Sequence, residues 1–176
     1  MEAFLRTPGV ATNLSRKQLS PFLVSLMSQT GETSVYGWGP NLDNCVILHV
    51  EDDDSAAFLF LLAVEQAGIS TSIYRVKDGE QALLFLRKQP PYQNARTPKL
   101  AIVDLNLPKV NGWELLAMRQ TDPALKPIPF IVMSTAPASR AAAKALKNGA
   151  EHYIEKPASF DELVQQVQTY CKSLVK

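Results

Sequence analysis

Carboxylates, a hydroxyl and a lysine follow short apolar runs at four separate places in the chain. These residues, each given with the run it follows, are Glu51 to Asp54 after 46–50, Asp104 after 100–103, Ser134 and Thr135 after 129–133, and Glu155 and Lys156 after 152–154. Carboxylates crowded together repel one another, and some stay protonated unless a cation lies among them. Mg²⁺ suits one or two carboxylates together with water and phosphate oxygens. Because a carboxylate can attack a phosphoryl group, the set predicts a magnesium-dependent phosphoryl-transfer site.

These side chains would meet if the apolar runs were neighbouring strands of one sheet. Each run alternates with a longer segment of helical periodicity. The predicted strands are 46–50, 70–76, 100–103, 129–133 and 152–154, and the predicted helices are 55–67, 78–88, 112–119, 139–148 and 159–174. Apolar strands without polar alternation are typical of a parallel sheet covered on both faces. The pattern therefore predicts a doubly wound α/β domain, whose ligands bind at the carboxyl ends of the strands.

Capping signals mark several of the predicted helix ends. Ser55 and Asp78 are expected to cap the first two helices of the domain, and Gly68 is expected to end the first. Ser159 and Glu162 have the spacing of a capping box at the start of the last helix.

The first 44 residues differ in texture from the rest of the chain. They are rich in Ser, Thr, Asn and Gly, and apolar residues recur at helical spacing only over 18–27. Segments 29–34 and 36–41 are predicted to be loops. The sequence thus divides into a partly disordered N-terminal extension, 1–44, with one helix near 18–27, and a folded domain, 45–176.

Composition narrows the class of protein. The chain has 176 residues, a hydrophobic content of 46% and a formal net charge of +1. The hydrophobic content indicates a globular core, and the near-neutral charge gives no attraction to nucleic acid or to an anionic membrane. Two cysteines are too few for a disulfide framework. Without a recognisable secretory signal or membrane-spanning run, the expected location is the cytoplasm.

Five separated motifs resemble, in order, the signature of response-regulator receiver domains. They are Val50-Glu51-Asp52-Asp53, Val103 to Pro108, Gly112, Met133-Ser134-Thr135-Ala136, and Tyr153-Ile154-Glu155-Lys156-Pro157. The resemblance covers about residues 45–175 and implies a flavodoxin-like fold with five parallel strands in the order 2-1-3-4-5. The loop 89–98 and the segments 76–82 and 104–108 further resemble stand-alone receivers that are paired with phytochrome-type histidine kinases.

The resemblance implies a role for each matching residue. Asp104 would be the phosphoacceptor and also a metal ligand. Glu51 and Asp52 would be the acidic pair that holds Mg²⁺, and Asn106 would be a further metal ligand through its backbone carbonyl. Ser134 would be the switch hydroxyl and Lys156 would pair with phosphoryl oxygens. Tyr153 would change rotamer with the switch, and the Lys156–Pro157 peptide bond would be cis. His49, which lies within a predicted strand, is expected to be a core or partner-facing residue and not a ligand.

The implied function is a phosphorylation-dependent switch in a two-component phosphorelay. Asp104 would accept a phosphoryl group from a histidine kinase, and catalysis would extend only to this transfer and to autodephosphorylation. Since no second domain follows in this sequence, output is expected through contacts with a downstream protein. The face formed by the fourth helix, fifth strand and fifth helix of the domain would serve for this, or for homodimerisation. Arg140, Lys144 and Lys147 would form a basic stripe there, too small to indicate nucleic acid.

Two other interpretations stay open at this point. Asp52-x-Asp54 resembles the motif of a magnesium-dependent phosphatase with an aspartate nucleophile, although Asp104 then has no role. Alternatively, the domain is a pseudo-receiver that acts only as a binding scaffold, although Asp104, Ser134 and Lys156 are all present.

Overall fold

The computed structural model describes residues 33–38 and 45–171, and the elements are numbered here within those ranges. The strands are β1 (Thr33–Trp38), β2 (Val46–Val50), β3 (Thr71–Val76), β4 (Leu100–Val103), β5 (Phe130–Ser134) and β6 (His152–Glu155). The helices are α1 (Asp54–Gln66), α2 (Gly79–Leu86), α3 (Gly112–Thr121), α4 (Ala138–Lys147) and α5 (Phe160–Tyr170). In these ranges, no helix has both the length and the apolar character that a membrane span requires.

The sheet confirms the predicted parallel topology. Its strand order is β1-β3-β2-β4-β5-β6, and β2 to β6 are parallel to one another. Counted from β2, the five parallel strands therefore have the order 2-1-3-4-5. Successive strands are added on one side of β2 and then on the other, so the strand order reverses between β2 and β4. Ligands bind at this position in folds of this type.

One strand was not predicted. Segments 29–34 and 36–41 are expected to be loops from their sequence, but Thr33–Trp38 forms β1 and pairs antiparallel with β3. The Cα partners run from Thr33 opposite Val76 to Trp38 opposite Thr71. Loop residues such as Gly37 obscure the pattern, and the pairing partner lies more than 30 residues away along the chain. The predicted helix at 18–27 lies outside the described residues.

Helices cover the two faces of the sheet unequally. Along β2, Val46, Leu48 and Val50 point to the face covered by α2, α3 and α4, and Ile47 points to the face covered by α1 and α5. Phe85, Leu115 and Ala145 are among the helical residues that pack on the first face, and Phe60, Leu163 and Val167 are among those that pack on the second. Burial on both faces explains why the strands show no polar alternation. Cys45 and Cys171 are both free and buried.

Most predicted helix ends are confirmed, with one correction. Asp78 and Ser159 cap α2 and α5 by accepting backbone N–H bonds. The first helix is capped by Asp53 and not by Ser55, because the Asp53 carboxylate accepts from the Ala56 N–H at 2.7 Å.

The prediction of a cis Lys156–Pro157 bond is also wrong: among the described residues the cis bond is Pro90–Pro91. An X–Pro bond has only a small preference between isomers, which sequence alone does not decide.

Candidate functional site

Backbone hydrogen bonds bring the predicted site residues to one edge of the sheet. The Glu51 N–H donates to the Val76 carbonyl at 3.0 Å, and the Asp104 N–H donates to the Val50 carbonyl at 3.1 Å. The Lys156 N–H donates to the Ser134 carbonyl at 2.8 Å. These bonds continue the strand ladders by one residue, so that the side chains are placed by the rigid sheet and not by free loops.

Lys156 bridges two buried carboxylates at this edge. Its Nζ lies 2.7 Å from Glu51 Oε2 and 2.7 Å from Asp104 Oδ2. The side chains of Glu51 and Asp104 are 3% and 7% exposed, and that of Lys156 is 18% exposed. Three residues separated by up to 105 positions in the chain therefore form one compact ionic cluster.

Each oxygen of Asp104 has a donor. Oδ2 accepts from Lys156, and Oδ1 accepts from the backbone N–H of Asn106 at 3.1 Å. Gly112, at the start of α3, lies directly against the Asp104 backbone: a Cβ at Gly112 would be 2.2 Å from the Asp104 carbonyl oxygen. The carboxylate is thus oriented by its own donors and by a close backbone contact that only glycine permits.

The two carboxylates of the cluster differ in their proton affinity. Burial raises the pKa of Glu51 above its ordinary value, although Lys156 opposes this. Burial would also raise the pKa of Asp104, but Lys156, the Asn106 N–H and the Ser134 hydroxyl together hold it below its ordinary value. Burial would lower the pKa of Lys156, whereas Glu51 and Asp104 raise it above the usual range. Asp104 is therefore held as an ionised carboxylate beside a protonated lysine.

His49 behaves as the predicted core residue. Its ring is buried and lies 4.3 Å from that of Phe60, measured between centroids. Burial, assisted by the charges of Lys156 and Arg75, lowers its pKa to about 3, so the imidazole is neutral. This neutral ring adds no charge beneath the cluster.

The residues of the acidic run 51–54 have separate environments. Glu51 is buried in the cluster, Asp53 caps α1, and Asp54 pairs with Arg75 and Lys77 at 2.6 Å and 2.9 Å. Asp52 and Asn106 are exposed on the loops that follow β2 and β4. The structure thus brings Glu51, Asp104 and Lys156 together and leaves Asp52 and Asn106 at the solvent side.

The donors at this edge suit Mg²⁺ and do not form a complete cage for it. Among the described residues, no three His, Cys, Asp or Glu side chains converge as a metal-binding group. Mg²⁺ usually keeps several waters and takes one or two carboxylates, so a preformed cage is not required. Glu51 and Asp104 supply buried carboxylate oxygens, and the adjoining Asp52 is open to solvent. The predicted ligands are compatible with Mg²⁺ on this donor chemistry.

Ser134 and Tyr153 are connected through the backbone of Ala136. The Ala136 N–H donates to Ser134 Oγ at 3.5 Å, and the Tyr153 hydroxyl donates to the Ala136 carbonyl. Ser134 is fully buried at the end of β5, and Tyr153 is partly buried on β6. The loop after β5 is therefore held between the two residues that are predicted to switch.

Arg75 is a site residue that the sequence prediction missed. It lies on β3 and is buried, and its guanidinium contacts the acidic run at three points: the carbonyls of Glu51 and Asp52 and the carboxylate of Asp54. The signal was an arginine inside a strand that is otherwise expected to be apolar. The register that places it beside the acidic run cannot be obtained without the sheet.

The fold and the site together define a flavodoxin-like α/β domain with an acidic, lysine-paired site at the carboxyl ends of its strands. The chain belongs to the response regulator receiver domain family, whose model matches residues 47–168. This confirms the resemblance on which the residue roles were predicted.

Individual relatives agree with this family. The chain is 33% identical over 126 residues to the "Probable methanogenesis regulatory protein FilR2" of Methanothrix harundinacea, covering 72% of this chain and 81% of that one. It is 32% identical over 123 residues to the response regulator Rcp1 of Synechocystis, covering 70% and 84%.

Two solved structures of response regulators are also similar to this chain. The Mn²⁺-bound form of Rcp1 has a TM-score of 0.68 at 30% identity, covering 75% of this chain and 95% of that one. The phosphorylated cyanobacterial phytochrome response regulator RcpA has a TM-score of 0.66 at 34% identity, covering 72% and 90%. Each similarity covers at least 70% of this chain and at least 81% of the relative.

Proposed function

We propose that this receiver domain is a phosphorylation-dependent switch whose phosphoacceptor is Asp104. The observation that carries the proposal is the environment of its carboxylate, which is buried, ionised and oriented by Lys156 and the Asn106 N–H. A carboxylate nucleophile needs these properties, because phosphoryl transfer depends mainly on positioning and on neutralisation of charge.

The transfer itself is simple in its bonding. A carboxylate oxygen of Asp104 forms a bond to phosphorus as the N–P bond of a kinase phosphohistidine breaks, and the imidazole leaves with the electron pair. Hydrolysis of the resulting acyl phosphate returns the carboxylate and inorganic phosphate. A bound Mg²⁺ supplies further neutralisation of the charge on the phosphoryl oxygens. Glu51, Asp52, Asp104 and the Asn106 carbonyl would hold it.

Lys156 and Ser134 would supply further contacts to the phosphoryl group. Lys156 is already placed 2.7 Å from the nucleophilic carboxylate, so it can pair with a phosphoryl oxygen with little movement. A phosphoryl group on Asp104 would attract the Ser134 hydroxyl, which lies at the end of the neighbouring strand. Because Ser134 and Tyr153 share contacts with Ala136, movement of the hydroxyl would alter the packing of Tyr153.

The output would be a protein contact at the face formed by α4, β6 and α5. Arg140, Lys144 and Lys147 are exposed on α4, as predicted, and Lys144 Nζ lies 4.2 Å from the centroid of the Trp113 ring. A downstream protein or a second copy of the chain would bind there. The input would come from a sensor histidine kinase of the phytochrome type, since the phytochrome response regulator RcpA is similar to this chain. The chemistry of the receiver domain itself would be limited to self-catalysed phosphoryl transfer and autodephosphorylation.

The phosphatase alternative is less well supported by the contacts. Its motif needs Asp52 as nucleophile and Asp54 as the second acid, but Asp54 is held by two cations, Arg75 and Lys77. Asp52 is exposed and is not contacted by Lys156, whereas Asp104 is. These contacts favour Asp104 as the acceptor.

Labelling with a small phosphodonor tests the proposal. The full chain is incubated with Mg²⁺ and acetyl phosphate, and intact mass shows whether one hydroxylamine-sensitive phosphoryl group is added. We expect complete loss of the label in Asp104→Asn. Asp78→Asn is a matched control, because Asp78 is also a buried aspartate paired with a lysine, Lys109, and the label should persist.

Two outcomes would contradict the proposal. Peptide mapping that places the label on Asp52 would favour the phosphatase. Absence of any label, together with absence of magnesium-dependent binding of beryllofluoride, would favour the phosphorylation-independent scaffold.

A further inference from the structure

A buried arginine outside the predicted site holds the loop that carries the acidic residues. Arg75 is 5% exposed and lies on β3, the neighbour of β2. Its Nε donates to the Glu51 carbonyl at 3.0 Å and its Nη2 donates to the Asp52 carbonyl at 3.1 Å. Its Nη1 lies 2.6 Å from Asp54 Oδ1. All three contacts fall within four consecutive residues.

These contacts fix the backbone on both sides of the Asp52 α-carbon, at the Glu51 carbonyl before it and the Asp52 carbonyl after it. Two successive carbonyls are bound to one planar guanidinium, and the rigid fork of donors limits how that backbone can rotate. The direction in which the Asp52 carboxylate leaves the chain is set by this backbone. The start of α1 is fixed as well, because Asp54 is its first residue.

The position of Arg75 is itself constrained from both sides of its strand. In the sheet register it lies opposite His49 on β2 and opposite Ser34 on β1. A side chain on a strand that is paired on both sides is better suited to orient a loop than one on another loop.

We infer that Arg75 is a positioning residue that orients Glu51 and Asp52 for binding of the divalent cation. This inference rests on the proposed function, because it assigns Arg75 a part in the same site. It touches neither the phosphoacceptor nor Lys156 and acts only through the backbone that carries the acidic pair.

Whether replacement of Arg75 weakens or tightens Mg²⁺ binding distinguishes a positioning role from a purely electrostatic one. A cation close to a metal site repels the metal, so removing its charge alone should tighten Mg²⁺ binding. Removing a positioning contact should weaken it, since outer-shell partners of a metal site typically contribute about 10- to 100-fold in affinity. For Arg75→Met we therefore expect the dissociation constant for Mg²⁺ to rise about tenfold or more.

Lys77 provides the matched control. Its Nζ also pairs with Asp54, at 2.9 Å, and it bears the same charge. Among the described contacts it does not bind the Glu51 or Asp52 carbonyl, so Lys77→Met removes charge without removing the backbone contacts. We expect Mg²⁺ binding to Lys77→Met to be unchanged or tighter. We expect Asp54→Asn, which weakens one of the three Arg75 contacts by removing its negative charge, to have a smaller effect than Arg75→Met.

The experiment is calorimetric titration of the full chain and its variants with Mg²⁺, together with hydrogen exchange of backbone amides without metal. Arg75→Met should show faster exchange at Asp53 and Ala56, whose N–H groups bond within the acidic run, and Lys77→Met should not. Arg75→Lys keeps the charge but not the fork, and it should be intermediate in both measurements. If Arg75→Met does not fold, the comparison of Arg75→Lys with Lys77→Met gives the same contrast.

The results separate failure of this inference from failure of the proposed function. Equal or tighter Mg²⁺ binding by Arg75→Met, with unchanged exchange, would overturn the role of Arg75 and leave the function intact. If the unmodified chain binds no Mg²⁺, the proposed function fails in its metal dependence. The exchange measurement still decides whether Arg75 orients the acidic run, and unchanged exchange at Asp53 and Ala56 would overturn the inference in that case also.

Discussion

Two clusters in this domain have the same composition but different surroundings. In each, one lysine bridges two carboxylates: Lys156 joins Glu51 to Asp104, and Lys109 joins Asp78 to Glu80. The shortest lysine–carboxylate distances are also similar, 2.7 Å and 2.8 Å. Geometry of the ion pair therefore does not distinguish the candidate functional cluster from its counterpart.

Burial distinguishes the two clusters. Asp78 is buried, but Lys109 and Glu80 are 54% and 60% exposed, whereas Lys156 is 18% exposed and both of its carboxylates are almost completely buried. Solvent screens the Lys109 cluster, and pairs of this kind contribute little to stability. In the Lys156 cluster water is largely absent, so each charge is stabilised mainly by its oppositely charged partners. The comparison shows that the candidate functional cluster differs from its counterpart in where its ion pairs lie and not in which residue types form them.

The largest expected effect is removal of the buried lysine. Lys156→Met leaves Glu51 and Asp104 facing each other without a cation, and we expect a loss of about 3 kcal/mol in the free energy of unfolding at neutral pH. Lys109→Met, the matched exposed change, should leave the urea midpoint almost unaltered. Urea denaturation of both variants checks this, and equal losses would show that burial does not separate the clusters.

A pair of glycines extends the comparison to the backbone. A Cβ on Gly112 would be 2.2 Å from the Asp104 carbonyl oxygen, and one on Gly79 would be 1.9 Å from the Val110 carbonyl oxygen. Neither contact can be relieved by rotation of a side chain, so each Gly→Ala change should cost about 2 kcal/mol by overpacking.

The two glycine variants should differ in labelling with acetyl phosphate. Gly112→Ala displaces the backbone of Asp104, the proposed phosphoacceptor, and should slow labelling, whereas Gly79→Ala presses on the segment beside Lys109 and should not. The labelling rates are measured at a temperature where both variants are fully folded. Equal rates would contradict the role of Gly112 in orienting Asp104.

The smallest expected effect is a difference in the pH dependence of stability between the two carboxylates of the buried cluster. The folded-state pKa of Glu51 is raised, so ionised Glu51 is disfavoured in the fold, and its contribution to stability falls as pH rises from below 4.5 through the raised value. The folded-state pKa of Asp104 is lowered, so its contribution is present above 3.8 and is lost as pH falls through the lowered value.

Urea denaturation at several pH values measures this difference. Relative to the unmodified chain, Glu51→Gln should gain stability as pH rises above 4.5. Asp104→Asn should gain relative stability as pH falls below 3.8. The same pH trend in both variants would show that the two carboxylates are not distinguished by their donors.

The predictable part of this molecule is the part encoded by local pattern. The strands β2 to β6 and their helices follow from apolar runs, caps and glycines, and Asp104 and Lys156 follow from their places after strands. Arg75 and β1 could not be predicted in this way, because each depends on a register between distant segments. Burial of Glu51 relative to Asp52 likewise depends on the sheet, since neighbouring residues of the same charge look alike in sequence.

The antiparallel strand β1 has a consequence for where the chain can be cut. It covers the outer edge of β3 over six residue pairs, from Thr33 opposite Val76 to Trp38 opposite Thr71. A protein shortened at the boundary suggested by its sequence, to begin at residue 45, would retain β2 to β6 but leave the N–H and C=O groups of that edge unpaired. Exposed strand edges are templates for pairing with other chains, so such a fragment would be prone to aggregation, which a protein beginning before Thr33 would avoid.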